Sequence, residues 1–205
     1  MGDKKFDDTR MSGLWLRFEA LLAEGQTARD IGFHSIDGDV SRFLARYKVG
    51  WAFRGVELSG FTPTTTHTYS ALLRLFLVWS AFESYCKVAG LTKSGGGLSH
   101  DRVRTFVETT STLALPPEGA DCRALREFLF EQTTNSTLRK RLLVDSEWHP
   151  YDLCQALRHS FVHGPLTAHA GGTKPAGLRA DAEILSSWLL SLMAEGFAGI
   201  LEGPV

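Results

Sequence analysis

Apolar positions recur along this chain at helical rather than strand spacing, and the clearest case is Pro150 to His163. Pro150 suits a first helical turn, where a missing N–H is not needed. Gly164 followed by Pro165 suits the end, because the residue before proline is steered out of the α region. Within those bounds Leu153, Ala156, Leu157, Ser160 and Phe161 share one arc, the spacing of a core-facing stripe. Gln155, Arg158, His159, Val162 and His163 share the other. The pattern predicts a helix of about four turns with one apolar and one polar, cationic side.

The same reading extends to the rest of the chain. Met1 to about Arg10 reads as a solvated tail, and Leu14, Leu16, Phe18, Leu21 and Leu22 as the inward face of a short helix ending near Gly25. Asp37 and Asp39 are placed to cap a second helix through Val40, Phe43, Leu44 and Tyr47. Gly50, Gly55 and Leu58 to Thr66, with Pro63, form an irregular connector. His67 to Ala89, stopped by Gly90, is apolar almost all round and is therefore a central, covered helix. Its polar strip is Ser80, Glu83, Ser84 and Lys87, at i, i+3, i+4 and i+7. Lys93 to Ser99, with three glycines, is a flexible loop closing on the cap Ser99. Asp101–Thr110, Ala120–Gln132 and Ser136–Val144 follow as helices, with a break at Pro116–Pro117. In Ala120–Gln132 the inward residues are Leu125, Phe128 and Leu129. Ala168 to Gly177 is a loop holding His169, and Leu178–Leu201 is a long helix with Ile184, Leu185, Trp188, Leu189, Leu192 and Met193 inward.

Nothing alternates with period two between turn signals, so no strand is predicted. The expected fold is all-α, a four-helix up-and-down bundle with additional N-terminal and inserted short helices. The bundle members are Thr66–Ala89, Ala120–Gln132, Pro150–His163 and Leu178–Leu201. Residues 1–65 are an N-terminal helical accessory region and residues 66–205 the bundle domain.

Composition narrows the function. The 205 residues carry 43% hydrophobic and 22% charged side chains, enough for a domain with a real core. A formal net charge of −1 supplies no global basic field, so any RNA contact must come from a local patch. Arg139-Lys140-Arg141 is the candidate, although a charge run at a helix end is also the ordinary form of a solvated face. Three widely spaced cysteines without a CxxC argue for a reducing compartment. The opening residues lack an apolar signal core, and Phe6 stands where myristoylation wants Ser or Thr. The longest apolar run, Ala71 to Phe82, is broken by Arg74 and Ser80 and is too short to span a bilayer. A cytoplasmic protein without a membrane partner is expected.

The candidate chemistry lies on the outward arc of Pro150–His163, in the run R158-H-S-F-V-H163-G. Imidazole can act as base or acid near neutrality, and guanidinium binds phosphate in a bidentate fork. Arg-x4-His, with a polar residue after the arginine and glycine after the histidine, resembles the signature of the HEPN superfamily. The segment W-S-A-F-E-S-Y, Trp79 to Tyr85, resembles that family's earlier helix, where an acidic residue often faces the motif. The resemblance covers roughly Thr66 to the C-terminus, and residues 1–65 match nothing in it. It implies a metal-independent endoribonuclease without a cofactor, cutting RNA by 2′-hydroxyl attack at a composite dimer active site. His163 would be the acid/base, Arg158 would hold the phosphate and Glu83 would orient them, with His159 and Arg139, Lys140 and Arg141 touching RNA. A single histidine cannot be base and acid in one turnover without repositioning, so two facing copies in a homodimer are the economical arrangement. Val162, apolar on a cationic arc, agrees with a covered face. The implied role is a toxin or antiviral defence effector, with an antitoxin or defence-system protein as a further partner.

Other readings stand beside this one. The family includes members without activity, which gives the alternative of a non-catalytic helical module binding a protein or nucleotide. Pro165 stands two after His163, so the control by tyrosine modification known in some members is not expected. Glu83 can simply solvate its strip or pair with Lys87, and His159 can be a plain surface histidine. His159 and His163, at i, i+4, have metal-ligand spacing, with Cys154, His149 and His169 nearby in sequence. Without HExxH or CxxC no metal is expected, and a metal-dependent hydrolase is the third reading. Gly95–Gly97 lacks the Lys-Ser/Thr ending of a phosphate loop.

Overall fold

The computed structural model describes residues 9–110, 122–142, 149–163 and 175–203, with the backbone alone for Thr9 and for 161–163. Along them run α1 (Thr9–Ala23), α2 (Ala28–Ile31), α3 (Asp37–Ala52), α4 (Pro63–Val88), α5 (His100–Thr110), α6 (Arg123–Gln132), α7 (Ser136–Arg141), α8 (Pro150–His163) and α9 (Pro175–Glu202). Among the described residues there is no strand. An isolated antiparallel bridge, Thr92 to Leu98, closes the glycine loop after α4. That loop, expected to be flexible, is tied by bonds from Lys93 N–H to the Gly97 carbonyl at 2.7 Å and from Ser99 N–H to the Leu91 carbonyl at 2.9 Å. The protein is all-α, as the periodicity predicts. Its residues cluster into two units, one of 1–52, 80–112 and 189–205, the other of 53–79 and 113–188.

The first unit is built on aromatics. Phe18, Phe33, Phe43, Tyr47, Tyr85 and Phe197 are all buried to within 2%. Phe33 meets Phe197 at 5.0 Å and Phe43 meets Tyr85 at 5.4 Å, the offset and edge-on distances that aromatic quadrupoles favour. Truncating one such buried Phe costs about 3–5 kcal/mol. Gly196 lets α9 lie against this cluster, since a Cβ there would run into the Tyr85 hydroxyl and the Phe106 ring. In α1 the expected inward face is displaced. Met11 and Phe18 are fully buried, while Leu16 is 65% exposed. Helix α2 was not anticipated, although its signal is present in the chain. Thr27 and Asp30 form a reciprocal capping box.

Asp37 and Asp39 lie within the first turn of α3, and their carboxylates bind other groups. Asp37 accepts the Ala28 N–H at 2.7 Å, which joins the starts of α2 and α3. Asp39 accepts from Ser35 and from Arg42 at 2.5 Å and pairs with Lys87 of α4 at 2.9 Å. Hydrogen bonds from Arg42, then Ser35, then Lys87 hold its carboxyl well below the usual carboxylate range.

In the second unit α4 begins at Pro63, four residues before the expected start, with the Thr62 hydroxyl accepting the Thr65 N–H at 3.3 Å. Helix α6 begins after Cys122, which sits in the left-handed region at φ 47° and gives no side-chain cap. Asp181 of α9 replaces the missing cap, accepting the Leu125 N–H at 3.0 Å. Asn135 caps α7 through the Thr137 and Leu138 N–H groups. Helices α6 and α7 both pack on α8. Among the described residues α9 is long and apolar enough to cross a bilayer, and 61% of its most apolar window is buried in the protein.

Candidate functional site

Helix α8 begins at Pro150 as predicted and runs to His163, and the expected stop at Gly164 lies outside the described residues. Leu153, Ala156, Leu157 and Ser160 of the expected stripe are buried, and Phe161 lies outside the described side chains. Tyr151, Asp152 and Cys154 are buried as well. The first half of α8 is therefore covered all round, because α6 and α7 pack on it where a lone helix would show a polar side. Tyr151 meets the Trp79 ring at 5.4 Å. Asp152, only 4% exposed, is ion-paired with Arg141 of α7 at 3.1 Å. Taking away Arg141 removes a countercharge from the buried Asp152 carboxylate.

The candidate residues divide at this point. Arg158 is exposed on the second half of α8. His159 beside it is half-buried, with its Nε2 3.1 Å from the Thr134 hydroxyl in the turn before α7. The backbone of α8 runs to His163, but the side chains of His163 and Val162 lie outside the described residues, as does all of His169. Glu83 is half-buried on the last turns of α4 and belongs to the first unit, whereas Arg158 and His163 belong to the second. Lys87, the other residue considered for Glu83, is paired with Asp39.

The basic run does not form one patch. Arg139 lies over the Phe130 ring of α6 at 4.4 Å to the centroid, a cation–π contact. Arg141 turns to Asp152 of α8, and Lys140 is exposed. Successive helical positions diverge by about 100°, which sends the two arginines to different helices. Of the residues near the histidine spacing, Cys154 is fully buried and burial pushes its thiol well up, away from the thiolate a metal prefers. His149 is 5% exposed, its Nδ1 accepting the Tyr151 N–H at 3.2 Å. Among the described residues no three His, Cys, Asp or Glu side chains gather.

Periodicity missed Thr134, Phe130 and Asp152, since each acts across helices rather than along one. A further group was legible as spacing but was not singled out. His67, Ser70, Ala71 and Arg74 fall at i, i+3, i+4 and i+7 on α4 and line a cavity with Phe53, Arg54, Arg179 and Glu183. Compared with protein-family models, curated proteins and solved structures, the chain matches none of them.

Proposed function

We propose that this chain is a metal-independent endoribonuclease that cuts RNA by attack of the 2′-hydroxyl on the adjacent phosphate. The observation that carries the reading is the form of α8. Its core stripe is buried, Arg158 is exposed, and the helix continues through the x4 spacing to His163 at its last position. Arg158 then holds the phosphate and His163 moves the proton, first as base on the 2′-hydroxyl and then as acid on the 5′-oxygen. Two copies facing across a two-fold axis divide those proton transfers between two histidines. A cytoplasmic toxin or defence effector restrained by a protein partner is the setting this chemistry suits. The second reading, a non-catalytic module binding a protein or nucleotide, is favoured by the engagement of Arg139 and Arg141 within the fold.

Incubation of the purified chain with total RNA in EDTA separates the readings. Cleavage that persists in chelator and leaves 2′,3′-cyclic phosphate ends is the expected result. Loss of cleavage in chelator points to a metal-dependent hydrolase using His159 and His163, and intact RNA leaves the binding module. His163→Ala and Arg158→Ala should each lower cleavage by about 10²-fold or more. A His163→Ala variant that cuts at the parental rate removes His163 from the site. Light scattering at micromolar concentration should give a dimer that Val162→Glu splits, since that change buries an unpaired charge.

A further inference from the structure

We propose that His149 is an acid-sensitive latch on the start of α8, holding its first turn only while the imidazole is unprotonated. His149 stands directly before Pro150, at the position from which a side chain can cap the helix. Its Nδ1 accepts the Tyr151 N–H at 3.2 Å, and its carbonyl accepts the Asp152 N–H at 2.8 Å. Those are two of the N–H groups that a helix start leaves without an internal partner. Ser, Thr and Asn side chains accept such bonds at any pH, whereas imidazole nitrogen accepts only without its second proton.

The bond fixes the protonation state of the ring. A backbone N–H can only donate, so Nδ1 offers its lone pair and the ring's single proton sits on Nε2. A second proton would go to Nδ1 and set one donor against another. The ring also lies at a helix N-terminus, where the aligned peptide dipoles disfavour a cation. His149 is 5% exposed and meets the Trp188 ring of α9 edge to face at 6.5 Å, so little solvent reaches a charge placed there. Protonation therefore requires the ring to leave the Tyr151 N–H, and the first turn of α8 loses its cap.

The charged groups around this turn are Arg126, buried on α6, Arg141 of α7, Asp152 of α8, and Asp181 and Glu183 on the turns of α9 before Trp188. Asp152 pairs with Arg141, Glu183 pairs with Arg179, and Asp181 accepts the Leu125 N–H. From α4 comes the neutral Trp79 ring, against Tyr151. An unfolded imidazole takes its proton near pH 6.5, and the latched ring resists it. The latch thus contributes fully above that pH, and its contribution is lost as pH falls below it. It does not rest on the ribonuclease reading, since it concerns the first turn of α8 and Arg158 and His163 lie on the last ones.

The test is urea unfolding of the whole chain between pH 7.5 and 5.0, a window above the carboxylate range of about 4. The parent is compared with His149→Asn, whose amide oxygen accepts the same N–H and does not titrate. The other histidines are common to both proteins, so the difference between the two pH slopes belongs to His149. Below about pH 6.5 the unfolding constant of the parent should rise by up to about tenfold more per pH unit than that of His149→Asn. Equal slopes overturn the latch. Nitrogen-15 spectra of the parent's histidine rings give an answer even if the variant fails to fold. The His149 ring should carry its proton on Nε2 at pH 7.5 and stay neutral at pH 5.5 for as long as the Tyr151 amide is protected from exchange. A ring protonated at pH 7.5, a neutral ring with its proton on Nδ1, or a ring that protonates while the Tyr151 amide keeps its protection each overturns it.

Discussion

One helix carries two rows of identical spacing, one polar throughout and one interrupted by the buried Ala71, and they have different environments. Near the end of α4, Ser80, Glu83, Ser84 and Lys87 lie in the first unit, where α3 supplies complementary groups. Lys87 meets Asp39 at 2.9 Å, and Arg46 donates to Ser84. Near its start, His67, Ser70, Ala71 and Arg74 lie in the second unit, where Arg54 and Arg179 add charge of the same sign around a cavity. The first strip is closed by countercharge. The second lines a cavity with three arginines and one glutamate. An i, i+3, i+4, i+7 polar row reports only that a helix has a wet or partnered face. Whether that row is structural or ligand-binding depends on the sign of what packs opposite.

Substitutions should separate the two strips, and the largest effect is expected at Asp39. Asp39→Ala leaves Arg42, Ser35 and Lys87 without their acceptor and should cost about 1–3 kcal/mol in urea unfolding. A cost near zero would mean that the closed strip holds nothing together. Acid offers a second probe at the same residue. The Asp39 carboxyl lies below its unfolded value of about 3.9, so its contribution is complete above that pH and fades as pH falls through the folded value. Below about pH 4 the unfolded chain takes the proton more readily than the folded one, and the parent should lose stability faster than Asp39→Asn. Parallel acid profiles for the two proteins would contradict the assignment.

Smaller effects follow. Ser84 is 8% exposed, and Ser84→Ala removes both the bond from Arg46 and the one to the Ser80 carbonyl, a loss of about 1 kcal/mol. In the open strip the sign should change. Arg74→Gln should leave stability within about 0.5 kcal/mol of the parent, or raise it slightly, because it relieves burial and the repulsion from Arg54. If Arg74→Gln destabilises as much as Asp39→Ala, the two strips are alike and the comparison fails.

Much of the fold was legible in the pattern of the chain. Pro150 opens α8 because proline acts on the backbone locally, whatever packs around it. The long apolar stretches became α4 and α9 for the same reason, with α4 starting earlier at Pro63. Leu16 went the other way. Two positions from Phe18, it lies about 200° round the helix from it and is 65% exposed. The candidate site was legible only in part. Arg158 is exposed as the wheel predicts, but the run 139–141 read as one patch and folds as two separate contacts.

The sequence by itself determined the helical period, the ends set by proline, glycine and capping residues, and the Arg-x4-His spacing on one helix. These depend on groups within a few residues of each other, so the local chain contains all the physics. Tertiary structure alone decided that Asp152 is buried against Arg141, that Asp181 caps α6, and that Arg54 and Arg74 meet across a cavity. Each of those joins residues from different elements. Charge and burial act through space with a strength set by the surrounding dielectric, and spacing along the chain carries no information about either.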